Sequence, residues 1–247
     1  MLRGNVRRAA ASLVGAALAG VLVTGCGQDS GAKASEGDDA QPEVFVDSGH
    51  LPERLDSDGT TIVVGTARAR TVVHLYEDMR CPVCEQFEEE GGGDGLRGMT
   101  LSGEVRTEYT LASFLDDRLG GKGSKKAANA LRAALEEGKF LEYHDVLFAH
   151  QPEEAVDGYT DAFLLRMASK VHGLRSAKFD AAVKGTKYRG FVTASEKAFE
   201  KDEVPGTPNL AVNGKLLDEE MWSAIFDKKT LPMAIRFAAS QNGSGEG

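Results

Sequence analysis

Cys81 and Cys84 stand two residues apart in the run Glu77-Asp78-Met79-Arg80-Cys81-Pro82-Val83-Cys84, and thiols at that spacing have three uses. They can ligate a metal, staple the chain, or exchange electrons with other thiols. A staple is the poorest use, because so short a loop removes little freedom from the unfolded chain. A zinc site needs four ligands, yet there is no second pair of this kind, and His50, His74, His144, His150 and His172 are scattered. A copper site would have to draw a third ligand from His74 or Met79. Electron exchange asks for a thiolate, and the surrounding residues offer a way to make one. Residues 71–76, Thr-Val-Val-His-Leu-Tyr, form a β-branched run of strand length. Pro82 suits the first position of a helix, and Val83, Phe87 and the acids Glu85, Glu88 and Glu89 extend it. Cys81 then falls at the helix start, where unpaired N–H groups and the positive end of the dipole favour a thiolate. Cys84 lies one turn later, within disulfide reach.

The flanking charges can tune such a site. Glu77, Asp78 and Glu85 oppose a thiolate, Arg80 favours one, and an acid beside the inner cysteine could relay its proton. The alternative for Glu77 and Asp78 is a plain solvated turn. Tyr143 and His144 read as packing or surface residues, His74 as a satisfied strand residue, Glu88–Glu90 as an exposed helix face and Trp222 as core.

These residues need elements to hold them. Residues 61–65, 71–76 and 104–112 are expected strands, and 209–217 contains a fourth and a fifth with Asn213-Gly214 as a tight turn. Helices are expected over 124–138, opening on Ser124 as cap and stopping at Gly138, and over 139–151 and 161–173. Further helices follow in 176–185, 189–202 and 218–229, while the glycines of 91–95 should break the helix that carries the cysteines. Strands, a block of helices, then a hairpin and a helix describe an α/β fold with a helical insertion. The expected α/β body covers 59–118 and 203–240, and the insertion covers 119–202. Polar, small residues over 26–58 and 241–247 read as a disordered tether and tail.

The first 25 residues read as a secretory leader. Arg3, Arg7 and Arg8 precede a chargeless apolar run from Ala9 to Val23, shorter than the ~20 residues that a spanning helix needs. The junction Val23-Thr24-Gly25-Cys26 is similar to the bacterial lipobox, which implies acylation of Cys26 and a lipid anchor in the membrane. Both general and twin-arginine export remain open. With Cys26 capped, Cys81 and Cys84 are each other's natural partners in an oxidising compartment. The chain is acidic, with 38 Asp and Glu against 29 Lys and Arg, and no cationic run follows residue 8, which argues against a nucleic-acid partner.

Cys-Pro-Val-Cys after a strand, Gly138–Gln151 in the helical block, and Val204-Pro205-Gly206-Thr207-Pro208 before Asn209–Leu217 stand together in one order. In these blocks the chain resembles the DsbA branch of thioredoxin-like thiol–disulfide oxidoreductases, over most of 60–237. The resemblance implies an exposed, attacking Cys81, a buried resolving Cys84, a cis-proline at Pro208 and Thr207 preceding it beside the substrate. It implies no organic cofactor and no metal, secreted cysteine-containing proteins as substrates, and an integral membrane partner that resets the pair. The resemblance makes a dithiol oxidase the main expectation; Val83 stands where well-known DsbA oxidases carry histidine, a departure that implies a weaker oxidant and leaves a reductase or isomerase on the same site as the alternative.

Overall fold

The computed structural model describes residues 51–242, all within the compact unit Phe45–Gly247. The expected leader 1–25, Cys26, the tether as far as residue 50 and the last five residues of the tail lie outside the described residues. The centre is a six-stranded mixed sheet: β1 (Glu53–Leu55), β2 (Ile62–Val64), β3 (Thr71–Asp78), β4 (Val105–Ala112), β5 (Asn209–Val212) and β6 (Lys215–Leu216). Its order is β1-β2-β4-β3-β5-β6, and only β3 and β4 run parallel. A central strand buried on both faces must be apolar on both, and β3 is: Val73 and Leu75 face the larger core, Tyr76 a smaller one with Ala112, Phe199, Val204 and Ala211. Asn213 and Gly214, with φ of 51° and 81°, close the β5–β6 hairpin in the left-handed region that such a two-residue turn requires.

Helices α1 (Pro82–Glu89) and α2 (Gly92–Leu101) join β3 to β4. Six helices lie between β4 and β5: α3 (Phe114–Leu119), α4 (Gly123–Leu135), α5 (Phe140–Phe148), α6 (Asp161–Ala168), α7 (Ala177–Lys184) and α8 (Arg189–Lys201). A 3₁₀ turn (Glu219–Phe226) and α9 (Thr230–Asn242) follow β6. The fold is α/β and thioredoxin-like, with a helical insertion between β4 and β5.

Several local expectations give way to longer-range contacts. The glycines of 91–95 do break the helix that carries the cysteines, which ends at Glu89, but helical structure resumes at once: Gly91, at φ 119°, makes the joint from which α2 starts. A Cβ on Gly92 would come within 2.4 Å of the Ile225 carbonyl and 2.7 Å of the Phe87 ring, so the chains approach there as closely as glycine permits. Residues 53–55, expected in the tether, pair with β2, and the Glu53 carboxylate accepts the N–H groups of Phe140 (2.9 Å) and Leu141 (2.8 Å), capping α5. Ser124 is not a cap. The Asp116 carboxylate accepts the N–H groups of Ser124 (3.0 Å) and Lys125 (2.9 Å), which leaves the serine hydroxyl for other work. Trp222 is 39% exposed rather than core. In a 3₁₀ turn, with three residues per revolution, Trp222 and Ile225 stand on one side and Met221 and Phe226 on the others; Ile225 is the one buried, and Trp222 is left at the groove. Helix α9 also runs through residues 241 and 242, assigned above to a disordered tail.

Candidate active site

The end of β3 and the start of α1 place Cys81 as the N-cap residue, with Pro82 exposed at the first helical position. The two cysteines are free thiols; Cys81 is 7% exposed and Cys84 fully buried. The Cys81 sulfur is thus enclosed and not exposed as expected, because Thr207 and the helix start pack around it. From 126 residues downstream, the peptide bond Thr207–Pro208 is cis, and the Cys81 thiol donates to the Thr207 carbonyl at 3.2 Å. The Thr207 hydroxyl is buried and has no hydrogen-bond partner in this dithiol form.

This setting separates the two thiols. A hydrogen bond from the Cys84 thiol, then the Thr207 hydroxyl and the N–H groups of Cys84 and Val83, outweigh burial and bring Cys81 down from 9.0 to about 7. Burial pushes the Cys84 thiol well up, helped by the Cys81 sulfur and the negative charge of Glu77. One sulfur is therefore ready to attack or leave, and the other holds its proton. The half-buried Val83 contributes a backbone donor rather than side-chain chemistry.

Glu77, Asp78 and Arg80 are buried, which removes the solvated-turn reading. Glu77 Oε2 meets His144 Nε2 at 2.8 Å, while its Oε1 has no partner. Burial works against a charge on His144, but the Glu77 carboxylate prevails and raises it to about 10. Glu88, one helical turn after Cys84, joins this group instead of facing solvent; burial and the Glu77 charge push its carboxyl well up. Its carboxylate tucks against Gly93, where a Cβ would collide with it. Arg97 and Asp145 form an ion pair alongside. The cluster behind Cys84 thus brings an imidazole and two carboxyl groups together, with the proton affinities of His144 and Glu88 raised.

Asp78 anchors the loop. Its carboxylate accepts the Arg80 N–H (3.0 Å), the Leu115 N–H (3.1 Å) and the Ser124 hydroxyl (2.5 Å), while burial pushes it up to about 6 against those bonds. The Arg80 guanidinium binds Asp116 (3.0 Å) and the carbonyls of Gly120 (2.8 Å) and Glu154 (2.8 Å). It is committed to the insertion instead of the Cys81 sulfur. Sequence reasoning missed Glu88, Ser124, Asp116 and the role of His144. The spacing Cys84–Glu88 was the available signal for the first; the others depend on contacts between distant elements.

Among the described residues, the grouping of Glu77, Glu88 and His144 has donor atoms close enough to hold a metal ion, and neither cysteine belongs to it. His74, named above as a possible copper ligand, hydrogen-bonds Thr110 at 2.8 Å and stacks on Tyr76 at 4.2 Å.

A thioredoxin family model matches residues 57–228. The chain belongs to the thioredoxin family. Solved structures with similar folds include the reduced disulfide bond oxidoreductase DsbG of Mycobacterium tuberculosis (24% identity, TM-score 0.56, covering 71% of this chain and 92% of that one). BdbD of Bacillus subtilis, in oxidised form, matches with TM-score 0.63 at 20% identity, over 77% and 98% of the two chains. The thiol–disulfide oxidoreductase MdbA of Actinomyces oris matches with TM-score 0.60 at 24% identity, over 76% and 89%. At these identities the shared property is the fold. A curated relative, the Na(+)/H(+) antiporter NhaA 3 of Salinispora tropica, is 31% identical over 157 residues; the match covers 62% of this chain and 22% of the antiporter.

Proposed function

We propose that this member of the thioredoxin family is a protein thiol–disulfide oxidoreductase working outside the cytoplasm from a lipid anchor at Cys26, and that it acts as a dithiol oxidase of secreted proteins. One observation carries the reading: a thiol held near 7 at a helix start faces Thr207–Pro208, with a second, fully buried thiol behind it. In the oxidised protein a substrate thiolate attacks Cys81 Sγ, the Cys81–Cys84 bond breaks, and Cys84 leaves as a thiolate. Its raised proton affinity draws a proton, for which the cluster of Glu77, His144 and Glu88 is the nearest acid supply. A second substrate thiolate then attacks the substrate sulfur of the mixed disulfide, expelling Cys81 as the stabilised thiolate. The substrate loses two electrons, the protein gains them, and an integral membrane partner takes them away. A groove of about 500 Å³ beside Thr207, lined by Pro205, Asn209, Leu217, Asp218 and Trp222, offers the substrate segment a bed.

A lowered Cys81 stabilises the reduced form and so makes the disulfide more oxidising. Val83 supplies no imidazole to strengthen this, which favours a moderate oxidant and keeps the reductase or isomerase direction as the second reading. Two measurements test the proposal. Cys84→Ser should trap a mixed disulfide with a reduced, unfolded substrate protein pre-activated at its thiols, and equilibrium with glutathione should give a potential above that of structural disulfides. Absence of any mixed disulfide would overturn the activity; a strongly reducing potential would reverse its direction. Retention of the chain in the membrane fraction, lost in Cys26→Ala, tests the anchor.

A further inference from the structure

The loop that delivers Cys81 is gripped from the insertion at its backbone carbonyls. Gln151, just past the end of α5, directs its side-chain amide nitrogen to two of them at once, Met79 O at 2.9 Å and Cys81 O at 3.0 Å. The Gln151 main-chain N–H donates to Phe148 O at 3.0 Å, which fixes the residue itself. A carboxamide carries two coplanar N–H donors on one nitrogen, so it can serve two carbonyls that lie two residues apart; a methyl or thioether of similar size can serve neither. The Cys81 carbonyl is also the acceptor for the N–H groups of Cys84 (3.1 Å) and Glu85 (3.2 Å), the first turn of α1.

We infer that Gln151 is a positioning residue for disulfide exchange: by holding the Met79 and Cys81 carbonyls it keeps the N–H groups of Val83 and Cys84 aimed at the Cys81 sulfur and so sets the reactivity of that thiol. The inference rests on the reading of Cys81 as the exchanging cysteine. Redundancy separates this role from general support. Met79 O keeps a second donor, the buried Tyr159 hydroxyl at 2.9 Å, when Gln151 is lost. Arg80 continues to tie the loop to Asp116, Gly120 and Glu154. Gln151 is the side-chain donor that ties the Cys81 carbonyl to the insertion; without it that carbonyl keeps the N–H groups of Cys84 and Glu85, from its own helix, and the loss falls on the placement of the helix start whose donors stabilise the thiolate.

The test uses the full reduced chain with Gln151→Met, which keeps length and removes both donors. Titration of the thiolate absorbance near 240 nm should show the thiolate fraction at neutral pH reduced about 3- to 10-fold. The glutathione equilibrium should move by a similar factor away from the reduced protein. Tyr159→Phe, which removes a donor from the Met79 carbonyl and a longer one from the Leu147 carbonyl but none from Cys81, should lower the thermal midpoint while leaving both readouts within about twofold of wild type. Gln151→Met titrating and equilibrating as wild type does would overturn the inference. So would a Gln151→Met chain that fails to fold, since the glutamine would then be support for the fold. A wild-type chain that never exchanges with glutathione would defeat the oxidoreductase reading itself, a result distinct from either.

Discussion

The separation of the two thiols makes a quantitative claim about stability. Cys81 is brought from 9.0 down to about 7 in the folded, reduced chain. A depressed value contributes stability that is fully present above the unfolded value of 9.0 and is lost as pH falls through 7. Two units correspond to about 2.7 kcal/mol at the limit. The working range is narrower: the linkage integral gives about 0.4 kcal/mol at pH 7, about 1.4 at pH 8 and about 2.3 at pH 9. Above pH 9, Cys84 acts in the opposite sense, because its thiol is pushed up in the fold but ionises freely when unfolded. Urea unfolding of the reduced wild type and of reduced Cys81→Ser, each at several pH values between 6 and 9, isolates the Cys81 contribution, since serine does not titrate there and Cys84 remains in both. The wild-type advantage should grow by about 2 kcal/mol across that interval. A difference that stays flat, or a thiolate absorbance midpoint above 8.5, would refute the account of donors converging on the Cys81 sulfur.

Three further outcomes follow from the same contacts. Asp116→Asn leaves the buried Arg80 guanidinium without its anion and weakens the cap on α4; chemical denaturation should show a loss of about 3–5 kcal/mol, as when one partner of a buried pair is removed. Glu77→Gln removes the charge that raises both His144 and Cys84, so resolution of a mixed disulfide by Cys84 should change its pH dependence in stopped-flow exchange, and the His144 ring should lose its proton at lower pH by NMR. Gly92→Ala forces a methyl against the Ile225 carbonyl and the Phe87 ring, and thermal unfolding should report a destabilisation of about 1–3 kcal/mol with the exchange chemistry retained.

The strands that carry the site were legible because their signals are local. The β-branched run 71–76 could bury both faces only as a central strand, and Asn213-Gly214 could hardly be anything but a hairpin turn. Ser124 looked like a cap, yet Asp116 took that role and Ser124 turned to Asp78. Glu88 looked like one of three exposed acids, yet only Glu89 and Glu90 are exposed. Trp222 looked like core until the segment wound as a 3₁₀ turn and left it beside the groove. Each of these residues is ordinary in its local pattern, and its partner arrives from elsewhere in the chain.

By itself the order of residues determined the spacing of Cys81 and Cys84, the proline that opens their helix, and the strand that leads to them. These follow from torsional preference and periodicity, which act over a few residues. Tertiary structure decided which thiol is stabilised and which is sealed, because that depends on Thr207, Glu77 and the insertion converging on one helix end. Charge and hydrogen bonding act through space, and only folding brings residues 77 and 207 within reach of the two sulfur atoms.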